Sequence, residues 1–195
     1  MRIIAGRYRG TRLAPLGAGD PAARLRPTPD RVREAVFSIL AARPGGDPVP
    51  GARVLDLFAG TGALGLEALS RGAVHAGFVD DGPAAQALLR QNIARLRAQD
   101  VTAVWRRDAT RLGPNPGAPY GLVFLDPPYR SGLGAAALAA AAAGGWLAPG
   151  ATVVWEEAEP QAPPPGFVRR DARRWGDSWV TFLDAPDREA ADREA

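Results

Sequence analysis

Apolar and polar positions along the chain follow two regimes. Over residues 1–50 the apolar positions come in short pieces, broken by glycine, proline and arginine. Residues 2–5 and 9–13 read as two short strands around Gly6 and Gly10. Residues 14–27 carry Pro, Gly and Asp and read as a loop. Thr28-Pro29-Asp30 then opens a helix, with Thr28 as N-cap and Pro29 at the first helical position. Val32, Val36, Ile39 and Leu40 give that helix its apolar stripe. Residues 43–51 are rich in Pro and Gly and read as a linker.

Beyond the linker, strand and helix patterns alternate. Strands are expected at 53–57, 74–79, 101–105, 121–125 and 151–155, and helices at 62–70, 83–97 and 133–143. Residues 167–174 and 178–183 read as a hairpin around Gly176 and Asp177. The alternation predicts an α/β fold with a doubly wound, mostly parallel sheet. The final hairpin can enter it only with one antiparallel strand. Three segments follow: an arm over 1–50, a main domain over 51–184, and an acidic tail over 185–195 that buries almost nothing and is expected to be disordered.

Composition narrows the chemistry. The 195 residues include no Cys, one His (His75) and no Lys, so all 24 basic side chains are arginines. Thiolate zinc sites, Fe–S clusters, cysteine nucleophiles, P-loop lysines and Schiff bases are excluded. A multi-His metal site is excluded too, and no metal is expected. No apolar run of about 18 residues is present, and arginines recur where an export signal would need an apolar stretch. A cytoplasmic protein with no membrane partner is the expectation. The first 34 residues hold eight arginines against Asp20, Asp30 and Glu34. Such a basic arm fits a polyanionic partner.

Two motifs carry chemistry. Asp56-Leu57-Phe58-Ala59-Gly60-Thr61-Gly62-Ala63-Leu64-Gly65 follows the first core strand and opens a helix. It matches G-x-G-x-x-G, and Asp80 ends the next strand. Glycines let a ligand approach, helix N–H groups meet an anion, and the acid takes ribose hydroxyls. The loop therefore reads as an adenosine-cofactor site and leaves NAD and S-adenosyl-L-methionine both open. Asp56 tilts the reading to the latter, since an acid there repels a pyrophosphate but can face an ammonium or water. Gly62→Val is expected to crowd the cofactor and leave the fold largely intact. The second motif, Asp126-Pro127-Pro128-Tyr129, ends a buried strand. Asp126 and a proline-pair carbonyl can accept hydrogen bonds from an exocyclic nucleobase amine, and Tyr129 offers a face for a flipped base. The motif fits guanine and adenine alike.

These blocks, together with Arg2-Ile3-Ile4-Ala5-Gly6, Arg9-Gly10, Arg26-Pro27-Thr28 and Asp30-Arg31-Val32-Arg33-Glu34, closely resemble the RsmD family over residues 1–183. The family methylates N2 of one guanine in 16S ribosomal RNA. The resemblance implies a Rossmann-like class I S-adenosylmethionine-dependent methyltransferase. Its mostly parallel seven-stranded sheet would carry a C-terminal antiparallel hairpin strand and a small N-terminal hairpin/helix arm. It implies Asp126, Pro127, Pro128 and Tyr129 as catalytic. It assigns the cofactor to Thr28, Asp56, Phe58, Ala59, Gly60, Gly62, Asp80, Asp108, Ala109 and Asp126. RNA would meet Arg7, Arg9, Arg12, Arg31, Arg33 and Tyr129, and the partner would be 16S rRNA in the small ribosomal subunit or an assembly intermediate. An adenine-N6 methyltransferase and a catalytically silent RNA-binding assembly factor are the rival readings.

Overall fold

The computed structural model describes residues 1–14 and 29–187. Thr28, expected as a cap and cofactor residue, lies outside the described residues, as do 188–195 of the expected tail, while Ala185 at its start is buried and donates from N to Ala151 O at 2.8 Å, contrary to expectation. The described chain contains helices α1 (Asp30–Ala41), α2 (Ala63–Ser70), α3 (Pro83–Leu96) and α4 (Leu133–Ala143). Strands β1 (Arg53–Leu57), β2 (His75–Val79), β3 (Thr102–Trp105), β4 (Tyr120–Leu125), β5 (Leu147–Glu157), β6 (Val168–Trp175) and β7 (Ser178–Asp184) form one sheet. Its order is β3-β2-β1-β4-β5-β7-β6. The first five strands pair in parallel and β7 runs antiparallel between β5 and β6.

Each face of the sheet has its own apolar layer. Val54, Phe78, Phe124, Val154 and Phe182 pack with α1, α2 and α3, while Leu55, Leu57, Val123, Leu125 and Trp155 pack with α4. The central strands are buried on both faces, which is why they read as continuous apolar runs. Ile3, Leu13, Val36, Phe37 and Leu40 belong to the same cluster as Val54 and Leu66, so arm and sheet share one core.

The arm departs from expectation in three ways. Its two short strands reduce to a single antiparallel bridge, Arg2 to Arg12. The reason is competition: Ile4 N and Ala5 N donate to the Glu67 carboxylate at 2.8 and 3.0 Å, and Tyr8 N donates to Ser70 Oγ at 2.9 Å. Gly6 sits at φ 79°, and a Cβ there would lie 1.8 Å from the Ser70 carbonyl oxygen. Second, α1 starts at Asp30 with Pro29 as N-cap, one residue later than expected, and no side chain caps it. Third, its buried face adds Phe37, tilted at 51° against Phe124 with ring centroids 5.5 Å apart, while Ile39 is only half-buried against the same core.

The sheet has a clear polarity. The chain leaves β1 into the glycine loop, runs down α2 and re-enters the sheet at His75 of the parallel β2. Ser70, and the arm loop docked on it, therefore lie at the N-terminal ends of the strands.

Candidate active site

The register lines up functional residues along the opposite, C-terminal rim. Val79, Leu57, Leu125 and Trp155 are neighbours across β2, β1, β4 and β5. The next residue of each strand therefore falls in a row: Asp80, Phe58, Asp126, Glu156. β7 closes it, with Val180 opposite Glu156 and Ser178 at its start. The two motifs, some 60 residues apart in sequence, become neighbours, and Asp126 N donates to Leu57 O at 3.4 Å.

Left-handed backbone shapes the glycine loop. Phe58, Gly60 and Gly62 have φ of 59°, 54° and 77°. For Phe58, a half-buried non-glycine residue, that conformation costs on the order of 1–3 kcal/mol, the kind of strain that collects at functional sites. Two amides expected to face a ligand are used within the protein. Gly60 N donates to Asp80 Oδ2 at 2.9 Å, and Gly62 N donates to Ala59 O at 2.7 Å. The glycines thus contribute curvature more than open donors. A Cβ on Gly62 would point inward, 2.4 Å from Leu89 Cδ1 and 3.3 Å from Phe78 Cε1. Gly62→Val would therefore damage the core before it met a cofactor, contrary to the sequence expectation. A Cβ on Gly65 would meet Phe78 Cε1 at 2.5 Å, so the third glycine sets the close approach of α2 to the sheet.

The acids divide the work. Asp80 is half-buried and accepts from Gly60 N and Gly82 N, both at 2.9 Å. Burial raises its pKa, and these two bonds oppose the rise. A carboxylate offers about four acceptor sites, so sites remain for two ribose hydroxyls. Asp56 is 2% exposed and accepts from Gly65 N at 2.9 Å. Burial pushes its pKa up to about 8. Asp56 thus anchors the start of α2 from inside, which corrects its expected place facing an ammonium group or water. Asp108 is exposed, caps a short turn over Ala109–Arg111 and accepts from Thr110 N and Oγ1, which hold its pKa down. Ala109 beside it is buried.

At the other motif, Pro127 is buried while Asp126, Pro128 and Tyr129 are half-buried. Tyr129 Oη donates to Glu156 Oε1 at 2.8 Å and lies 2.5 Å from Ser178 Oγ. Burial raises the phenol's pKa. The site thus sets an acceptor-rich end, at Asp126, Tyr129 and Glu156, beside a curved loop edged by the Asp80 carboxylate.

The expected RNA-contacting arginines do not form one surface. Arg31 is exposed on the first turn of α1. Arg7 and Arg9 are exposed but belong to the loop docked at Ser70, a helix length of about 12 Å from the glycine loop. Arg12 is exposed beside Arg2 and Arg95. Arg33 is 0% exposed and donates to Arg2 O and Asp30 Oδ1, so it is a packing residue and not an RNA contact. Desolvation lowers its pKa against the pull of Asp30 and Glu67.

Sequence reasoning missed Glu67, Asn92, Glu156 and Ser178. Asn92 is fully buried, accepts from Ala14 N at 2.6 Å and donates to the Thr61 carbonyl at 2.9 Å, tying the glycine loop to the arm. A polar residue on the inner face of α3 was the available signal; Glu156-Glu157 ending an apolar strand was another.

The strand order, the glycine loop after β1 and Asp-Pro-Pro-Tyr after β4 define a class I methyltransferase fold. Residues 1–184 match the family described as Conserved hypothetical protein 95, and the chain belongs to that family. It is 40% identical over 157 residues to ribosomal RNA small subunit methyltransferase D of Escherichia coli K12, covering 80% of this chain and 74% of that one. It is 32% identical over 166 residues to the Haemophilus influenzae protein of the same name, covering 84% and 81%. The solved structure of yhhF from Escherichia coli superposes with a TM-score of 0.79 at 33% identity, covering 96% of this chain and 99% of that one.

Proposed function

We propose that this chain transfers a methyl group from S-adenosyl-L-methionine to the exocyclic N2 amine of a guanine in 16S rRNA. The observation that carries the reading is the β1–β4 register, which sets Asp126 beside the glycine loop. The similarity to rRNA small subunit methyltransferases supports the RNA substrate. The glycine loop with Phe58 and Ala59 would cradle the cofactor, Asp80 its ribose, and Asp108 with Ala109 its adenine edge. When bound, the cofactor supplies an electrophilic methyl group. The chain supplies the rest. The lone pair of an exocyclic amine is delocalised into the ring. Asp126 and a proline-pair carbonyl accept its N–H bonds, draw the nitrogen toward tetrahedral geometry and free the pair. Tyr129 offers the ring on which the flipped base rests. The described residues form one sheet with the arm packed on its core, and the proposed substrate is a folded ribosomal surface read by shape. Among the described residues no helix is long and apolar enough to cross a membrane, and no acid/His cluster could hold a metal. The proposed setting is the cytoplasm, on a small-subunit assembly intermediate.

The test is single-turnover methyl transfer by Asp126→Asn and Asp126→Ala across pH. Asn keeps an acceptor oxygen and should retain measurable activity. Ala should lose on the order of 10²–10³ in rate, the scale for one transition-state hydrogen-bond partner, with cofactor affinity little changed. A fully active Asp126→Ala would place the chemistry elsewhere, and an Asn variant as inactive as Ala would make Asp126 a general base.

A further inference from the structure

The end of β5 carries two consecutive acids, Glu156 and Glu157, exposed by only 6% and 5%. Burying carboxylates is costly, and two in a row at a strand end do nothing for a core. Both grip the loop that follows β4. Glu156 Oε1 accepts from Tyr129 Oη at 2.8 Å, and Glu157 Oε1 accepts from Arg130 N at 2.9 Å. Successive strand side chains point to opposite faces, so the loop straddles the end of β5. Ser178, the first residue of β7, completes the set at 2.5 Å from Tyr129 Oη. The phenol has one proton. Once it is donated to Glu156, Ser178 must donate in turn, giving the chain Ser178 Oγ–H to Tyr129 Oη–H to Glu156.

The prolines of the loop limit its own backbone hydrogen bonding. Pro127 and Pro128 have no backbone N–H. Arg130 stands in the left-handed region at φ 57°, a conformation held for a non-glycine residue by surroundings such as the Glu157 bond.

We infer that Glu156 and Ser178 are positioning residues that lock the Tyr129 ring against the site, so that the antiparallel β7 forms part of the base-binding wall. The inference rests on the proposed methyl transfer to a flipped base. It names no contact between either residue and the base: they act through the phenol.

A double-mutant cycle on the full chain tests this, read as single-turnover methylation of 16S rRNA in small-subunit particles lacking the modification. Tyr129→Phe keeps the ring and removes the hydroxyl, and leaves the fold least disturbed. It should slow the chemical step roughly 3- to 10-fold, with S-adenosylmethionine affinity unchanged. Glu156→Ala should cost about the same in wild type and nothing further in Tyr129→Phe. Glu156→Gln, whose carbonyl still accepts from the phenol, should restore most of the rate. Equal losses for Glu156→Ala in both backgrounds would overturn the inference, since Glu156 would then act independently of the phenol. So would a wild-type rate for Tyr129→Phe. If wild type itself transfers no methyl group to the particles, the proposed reaction fails, and the network is judged by the Tyr129 ring: constraint lost in Glu156→Ala but kept in Glu156→Gln, by nuclear magnetic resonance of ring flips, upholds it, and unchanged flipping overturns it.

Discussion

The two loops that meet at the rim are held by different means. The glycine loop is held mainly by its own backbone: left-handed glycines and a short turn from Gly62 N to Ala59 O, with Asp56, Asp80 and Asn92 bracing it from 9, 20 and 31 residues away. The Tyr129 loop is held from outside, by side chains 27 and 49 residues further along the chain. A loop built on backbone conformation writes itself into local spacing. A loop built on distant side chains does not, and it can be retuned by single substitutions without rebuilding the backbone.

The largest effect is expected where the glycine-loop half meets the arm. Glu67 is fully buried and accepts from Ile4 N, Ala5 N and Arg71 Nε. Glu67→Ala orphans all three and should cost about 3–5 kcal/mol, the range for breaking a buried pair. Urea unfolding measures it, with Glu67→Gln intermediate because one acceptor oxygen survives. A loss under 1 kcal/mol would mean that the arm docks by apolar contact alone.

Gly62→Val comes next. Left-handed strain of about 1–2 kcal/mol adds to overpacking of about 1–3 kcal/mol against Leu89 and Phe78. Cofactor binding should fall with stability, measured by calorimetry beside denaturant melts. A stable variant that has lost binding would restore the reading in which Gly62 faces the ligand.

That revision marks how far the sequence reached. The mostly parallel sheet followed from alternation, and both motifs were legible as ends of apolar strands, while the pairing of Leu57 with Leu125 is given by the structure. Helix α4 was legible at its bounds, as an Ala-rich run between glycines. The direction of the Gly62 Cα–H bond was not, because motif matching gives positions and not orientations. Arg33 misled for a similar reason. Beside Arg31 it reads as one basic patch, yet residues two apart lie on different sides of a helix, and Arg33 falls in line with Val36, Phe37 and Leu40. Nothing in the local sequence named the distant partners of Glu67, Glu156 and Ser178, which lie 63, 27 and 49 residues away, although Glu156-Glu157 marked an acid pair at the end of an apolar strand.

The arm's exposed arginines should act on binding alone. Arg7 and Arg9 lie at the end of the sheet away from both loops, so reversing their charge should leave the rate on bound substrate intact. Each lost phosphate contact should flatten the salt dependence of RNA binding by about 0.7 on single strands. Filter binding across a salt series reads this directly, and an unchanged slope would make them a solvated face.

The smallest effect per unit of change lies under the glycine loop. Asp56 has a folded pKa of about 8 because burial disfavours its charge. In the unfolded chain an aspartate ionises near pH 4. Between these values the folded state holds a proton that the unfolded state has lost. Stability must then fall as pH rises through that window and level off above it. The slope from one such group is at most about 1.4 kcal/mol per pH unit, and water reaching the opened loop would reduce it. Asp56→Asn keeps an oxygen for Gly65 N and removes the titration. Wild type should therefore lose stability between pH 6 and pH 8 relative to this variant, with the two curves parallel above pH 9. Parallel curves throughout would show that Asp56 is ionised in the fold, with a cation or ammonium group drawn to it after all.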